Sequence, residues 1–175
     1  MAEVVVLGID PGTRCTGYGV VREVSGQATL VAAGAIRPPS KAAMAVRLGE
    51  IFQGIALVIQ KYGPHEVAME EVFTHKNVSS ALKLGQARGA AMAACAVHGL
   101  EVQGYNPMAV KKSIVGTGRA DKHQVAYMVA QVLGSKARQE CESWPADVTD
   151  ALAMAVCHLN SRRLAKLVGA VDGMP

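Results

Sequence analysis

The sequence predicts an α/β fold, a five-stranded mixed sheet with helices packed on both faces. Three observations carry this. Residues 4–36 hold three strand-like segments joined by short turns; the chain then alternates helical and strand-like segments; and the last third is dominated by helical spacing. Hairpin-joined strands run antiparallel, whereas strands linked through helices run parallel. The two halves together therefore make one mixed sheet with its faces covered.

Residues 4–9 are an apolar run closed by Asp10-Pro11-Gly12, a buried strand followed by a turn. Residues 16–24 alternate loosely, residues 28–36 are small and apolar, and Gly26 supplies the turn between them. Arg37-Pro38-Pro39-Ser40 ends this run, with Ser40 placed to cap the next helix. Met44, Leu48, Ile51, Phe52, Ile55, Val58, Ile59 and Tyr62 then recur at helical spacing until Gly63-Pro64 stops them. Residues 67–70 read as a fourth strand. A polar stretch, 71–77, leads into a helix at 79–98, and residues 100–105 make a fifth strand. Helices follow at 107–115, 121–133 and 147–166, with an irregular segment at 134–145. Residues 1–166 form one domain and 167–175 a frayed tail.

Length and composition agree with that architecture. A chain of 175 residues amounts to about one domain and buries roughly 70% of its unfolded surface. Half the residues are hydrophobic, but few are aromatic, and the net charge is +4 with His neutral. No apolar stretch approaches the ~18 residues of a membrane span. The opening residues carry Glu3 where a secretory signal needs a base. The four cysteines, Cys15, Cys95, Cys141 and Cys157, are scattered without a CxxC pair. They read as thiols of a reducing compartment, so the expectation is a cytoplasmic protein without disulfides, zinc or membrane contact.

Only fourteen acids are present, which makes their placement informative. Asp10 closes the first strand and Glu70 the fourth. Asp147 and Asp150 stand three apart at the start of the last helix and project within about 60° of each other. If the first and fourth strands are neighbours, all four meet at one sheet edge. Like charges gathered in this way are stabilised by a divalent cation, and an oxygen-only set selects a hard ion such as Mg²⁺ or Mn²⁺. Two ions ~4 Å apart would serve phosphodiester cleavage. A second reading stays open at this level: Asp10 before Pro-Gly is ordinary turn chemistry, and Asp147 and Asp150 suit the positive end of any helix.

Charge distribution favours the metal reading. Residues 72–139 contain nine basic side chains, among them Lys83, Arg88, Lys111, Lys112, Arg119 and Lys122, against two acids. The remainder of the chain is net negative, the pattern of a polyanion laid across an acidic centre. Phe73, one of two phenylalanines, sits in the polar stretch just beyond Glu70 and is placed to stack on bases or wedge between them.

Five segments taken in order resemble one family. They are GIDPGTRCTGYG at 8–19, MEEVF at 69–73, NVSSALKLGQARGA at 77–90, VKKSIVGTGRADK at 110–122 and DVTDALA at 147–153. Together they are similar to the RuvC family of Holliday-junction resolvases, over nearly the whole chain. The resemblance implies an RNase H-like fold and a homodimer that nicks two opposed strands of a four-way DNA junction with Mg²⁺, leaving 5′-phosphates. By motif position it implies Asp10, Glu70, Asp147 and Asp150 as catalytic metal ligands and Lys111 and Lys122 beside the scissile phosphate. Phe73 is implied at the junction centre, and the RuvA and RuvB branch-migration proteins as partners. Residues 79–98 are apolar nearly all round, with surface for a second subunit, and an isologous dimer supplies two equivalent sites. Arg119 adds charge where the family often has a small residue. Trp144 is expected to brace the last helix and His158 to serve as a core or supporting residue, while Cys15 receives no role. Two other classes compete: a non-catalytic junction-binding module, and a lobe of an actin- or Hsp70-like ATPase, whose phosphate loop GIDPGT also resembles.

Overall fold

A computed structural model describes residues 3–71 and 78–171. Its sheet has five strands: β1 (Glu3–Asp10), β2 (Thr16–Val24), β3 (Gln27–Ile36), β4 (Glu66–Glu70) and β5 (Val102–Tyr105). Their order is β3-β2-β1-β4-β5, with β1 to β3 antiparallel and β4 and β5 parallel to β1. β1 therefore lies at the centre, which accounts for its unbroken apolar run: residues 4–9 are buried on both faces. The β2–β3 hairpin turns at Ser25 and Gly26, both with positive φ, the backbone of a type I′ turn.

Alternation along β1 divides the core in two. Val5, Leu7 and Ile9 face α1 (Met44–Tyr62) and α2 (Val78–Val97), where they meet Ile51, Ile55, Ala87 and Ala91. Val4 and Val6 face α6 (Ala146–Val171), which is covered on its outer side by α3 (Pro107–Val115) and α4 (Lys122–Leu133). Residues 151–157 of α6 are buried all round, an apolar helix segment held between the sheet and an outer helical layer.

Local expectations differ from the structure in three places. Ser40 does not cap α1: Ala42 N–H bonds the Pro39 carbonyl in a turn containing Ser40, and the helix begins after Ala43 with no side-chain cap. Residues 134–145 are not irregular, since Ser135–Glu140 form α5 and Cys141–Ser143 a 3-10 turn. The last helix runs to Val171, five residues past its expected end at Lys166. A helix already nucleated by its buried portion extends at little cost through exposed Leu167 and Val168.

Candidate active site

Two parallel strands set the first pair of acids. Val4, Val6 and Gly8 of β1 turn toward α6, and Asp10 continues that series; Ala68 of β4 turns the same way and Glu70 follows. The pairing Ile9↔Met69 then brings Asp10 and Glu70 side by side at one sheet edge.

Helix α6 carries the second pair, and glycines decide how near it comes. A Cβ on Gly17 would run into the carbonyl of Asp147, and one on Gly8 into the carbonyl of Ala151. Only residues without side chains allow helix backbone to rest on strand backbone in this way. Asp147 and Asp150 thus open α6 beside Asp10, and all four acids line one cleft of about 400 Å³.

Lys111 and Lys122 line the same cleft, and local capping sets both. Asn106 caps α3 by accepting the Met108 N–H at 2.8 Å, with Pro107 in the first turn, and Gly116 ends the helix in the left-handed region. Asp121 and Gln124 form a reciprocal capping box that starts α4 at Lys122. Lys122 Nζ lies 3.3 Å from Asp150 Oδ2, and the Asp150 charge raises the ammonium's hold on its proton.

The electrostatics are unfavourable as they stand. Burial first, then the charges of Glu70, Asp150 and Asp147, push the Asp10 carboxyl up to about 8, with Lys122 pulling the other way. Among the described residues no group of three or more His, Cys, Asp or Glu side chains is placed, as it stands, to hold a metal ion. The donor set nevertheless fits a hard divalent ion: it is all oxygen, mutually repulsive and open on one side. Mg²⁺ takes such sites with part of its shell left to water and substrate.

The remaining candidates are spread more widely. Lys83, Lys112 and Arg119 are exposed and stand outside the cleft lining. Arg88, expected as a DNA contact, is partly buried and donates through Nε to the Glu70 carbonyl at 3.1 Å, with Nη1 2.9 Å from Met92 Sδ. It anchors the end of β4. Phe73 lies outside the described residues. Trp144 packs half-buried against the α6 side of the core, as a brace would. His158 supports rather than ligates: Nε2 bonds Glu66 Oε2 at 2.6 Å and Nδ1 meets the Tyr105 hydroxyl at 2.8 Å.

Sequence reasoning passed over the loop from β1 to β2. Thr16, fully buried, both accepts from the Gly12 N–H and donates to the Gly12 carbonyl. Arg47 of α1 donates Nε and Nη2 to the Thr13 carbonyl, the former at 3.0 Å. Cys15 stands beside Asp147: burial first, then that carboxylate, push its thiol up to about 11, so it stays protonated. A polar residue at helical spacing carries no sign of its long-range partner, and this is why Arg47 was missed.

The comparisons with known proteins decide the family. The profile described as crossover junction endodeoxyribonuclease RuvC matches residues 6–158. The chain belongs to the RuvC family. A relative from Solidesulfovibrio magneticus, named crossover junction endodeoxyribonuclease RuvC, is 57% identical over 166 residues, covering 95% of each chain. The solved structure of Thermus thermophilus RuvC in complex with a Holliday junction substrate superposes with a TM-score of 0.84 at 34% identity, covering 93% of this chain and 96% of that one. The yeast mitochondrial Holliday junction resolvase Ydc2, at 13% identity and a TM-score of 0.69, shares the fold. The architecture is accordingly RNase H-like, and the enzyme class is that of the family, a metal-dependent endodeoxyribonuclease that resolves Holliday junctions. The ATPase-lobe and non-catalytic readings fall with that assignment.

Proposed function

We propose that this chain resolves four-way DNA junctions by paired hydrolytic nicks, with Asp10, Glu70, Asp147 and Asp150 holding two Mg²⁺ ions per site, for which Mn²⁺ substitutes. The observation that carries the reading is the convergence of four carboxylates and two lysines on one cleft at a sheet edge. When bound, divalent ions in such a set polarise a phosphoryl oxygen and lower the pKa of water. Asp10, buried and hemmed in by like charge, is the ligand that gains most from a cation. Lys111 and Lys122 face the position of the scissile phosphate and offset charge that grows there during cleavage. Lys122, tied to Asp150, is held in place for that task. The cut leaves a 5′-phosphate.

Two opposed nicks require two sites related by a two-fold axis, so the working unit is a homodimer. Supporting this, α2 presents an exposed stripe through Leu82, Gly85, Gly89 and Ala93, with open space above both glycines. Phe73 is assigned to the junction centre, and Lys83, Lys112 and Arg119 to the DNA backbone around it. RuvA and RuvB are the partners, and the cytoplasm the place of action. A Mg²⁺ titration of nicking tests the core of the reading, with a synthetic four-way junction run beside linear duplex and single strands. Selective, symmetric, metal-dependent nicking of the junction is expected; equal cutting of all three substrates would overturn it.

A further inference from the structure

The acids at the sheet edge have cations in the outer helical layer and in the sheet itself, and only the first set is accounted for above. Lys111, Lys112, Arg119 and Lys122 lie in α3, α4 and the segment between them, in the layer that covers α6. In the sheet, β2 and β3 return to the same edge: Asp10 pairs with Gly17, and Thr16 with Ile36. Arg37 follows Ile36 directly, two strands out from Asp10, and Arg14 stands at the tip of the β1–β2 loop between them. Both side chains are exposed, and among the described residues neither has a carboxylate within ion-pair distance. The loop carrying Arg14 is held at both ends, by Thr16 on Gly12 and by Arg47 on Thr13. Arg14 therefore projects from a braced support.

We propose that Arg14 and Arg37 form a second phosphate clamp, holding the cleaved strand on the β3 side of the acids, apart from the lysines of the outer helical layer. Two unpaired guanidiniums at a braced edge suit the bidentate recognition of phosphate. Two strand spacings separate β1 from β3, about 10 Å. At about 3.4 Å of rise per nucleotide, the clamp meets the backbone about three nucleotides from the scissile phosphate. The cleaved strand then runs from the acids along the β2–β3 part of the sheet edge. This rests on the junction-nuclease reading above.

The test is the salt dependence of junction binding without divalent ions, comparing wild type, R14Q/R37Q, R14K/R37K and K61Q. Lys61 is exposed at the far end of α1 and controls for net charge. Each lost phosphate contact lowers the slope of log K against log salt by about 0.9. R14Q/R37Q is expected to lose close to two in slope and at least tenfold in affinity at 100 mM salt, R14K/R37K to recover most of the slope, and K61Q to match wild type. A wild-type slope in R14Q/R37Q, or an equal fall in K61Q, would overturn the clamp. Wild-type protein that binds junctions with full slope yet fails to nick them in Mg²⁺ would remove the nuclease reading alone, and the slope comparison would still decide the clamp. Wild-type protein that binds no junction would remove both.

Discussion

Glu66 and Glu70 occupy the two ends of one short strand, on the same face and beneath the same helix, yet their surroundings are opposite. Glu66 meets the later part of α6. His158 Nε2 lies 2.6 Å from one carboxylate oxygen and Arg162 Nε 2.9 Å from the other. Burial works to raise its pKa, but the hydrogen bonds from His158 and Arg162 and the Arg162 charge hold it below the usual carboxylate range. Glu70 meets the beginning of α6, and its charge is among those that push the Asp10 carboxyl up. Helix and strand run antiparallel with matched spans. Eleven residues from Asp147 to His158 cover roughly 16 Å of helix, and four from Glu66 to Glu70 roughly 13 Å of strand. One end is a neutralised clamp that fixes α6 to the sheet. The other sets Asp10 among like charges, with Lys122 the opposing cation, a configuration that costs stability and that a bound cation would relieve.

Substitutions at the two ends of β4 sharpen this contrast. The largest effect is expected at the acidic end. Asp10→Asn and Glu70→Gln should each lower junction nicking by at least about 10²–10³-fold while leaving junction affinity within a few-fold, as read by single-turnover cleavage and by band shift. Loss of binding in parallel with cleavage would mean that these acids support the fold and not the chemistry. The close approach of α6 comes next. Gly8→Ala places a methyl group against the Ala151 carbonyl, and about 1–3 kcal/mol of destabilisation is expected in urea unfolding, with cleavage falling as well.

At the neutralised end, Glu66→Gln should cost about 1–2 kcal/mol at pH 7 and leave the nicking rate near wild type. Because its folded pKa is depressed, the contribution of Glu66 is fully present above the ordinary value of 4.5 and is lost as the pH falls through the lower, folded value. The gap between variant and wild type should therefore close in acid. Asp10 carries the reverse sign. Its folded pKa is raised, so the carboxyl removes stability progressively as the pH climbs from 3.8 to about 8. Metal-free Asp10→Asn should be more stable than wild type by about 0.5–2 kcal/mol at pH 8 and equal to it below pH 3.8. Addition of Mg²⁺ should raise the melting temperature of wild type and not of the variant. The smallest effect belongs to Lys122→Gln. Its exposed pair with Asp150 contributes ~1 kcal/mol or less to stability, so a fall in cleavage would report chemistry and not unfolding.

Much of this was legible from residue patterns. The three-strand opening, the stop at Gly63-Pro64, the strand-ending positions of Asp10 and Glu70 and the paired aspartates of the last helix all follow from local periodicity and turn chemistry. Charge counting drew attention to the basic residues between 72 and 139 but passed over Arg14 and Arg37, which lie within residues 1–71, where six bases stand against seven acids. Arg88 shows what charge counting cannot see. It counts as one more cation in sequence, yet a backbone carbonyl at the end of β4 takes its Nε–H.

The amino-acid sequence alone determined which elements form, in what order, and which of them end in an acid, because those outcomes depend on contacts within a few residues. Only the tertiary structure decided that β1 lies beside β4 and that α6 sits on Gly8 and Gly17 with its first turn over Asp10. It likewise made one glutamate of β4 a neutralised anchor and the other a member of a repelling cluster. Strand pairing joins residues 60 positions apart, and the backbone approach of α6 joins residues 130 or more apart. Local pattern carries no record of that separation, and the balance of charge around each carboxylate exists only once the separation is closed.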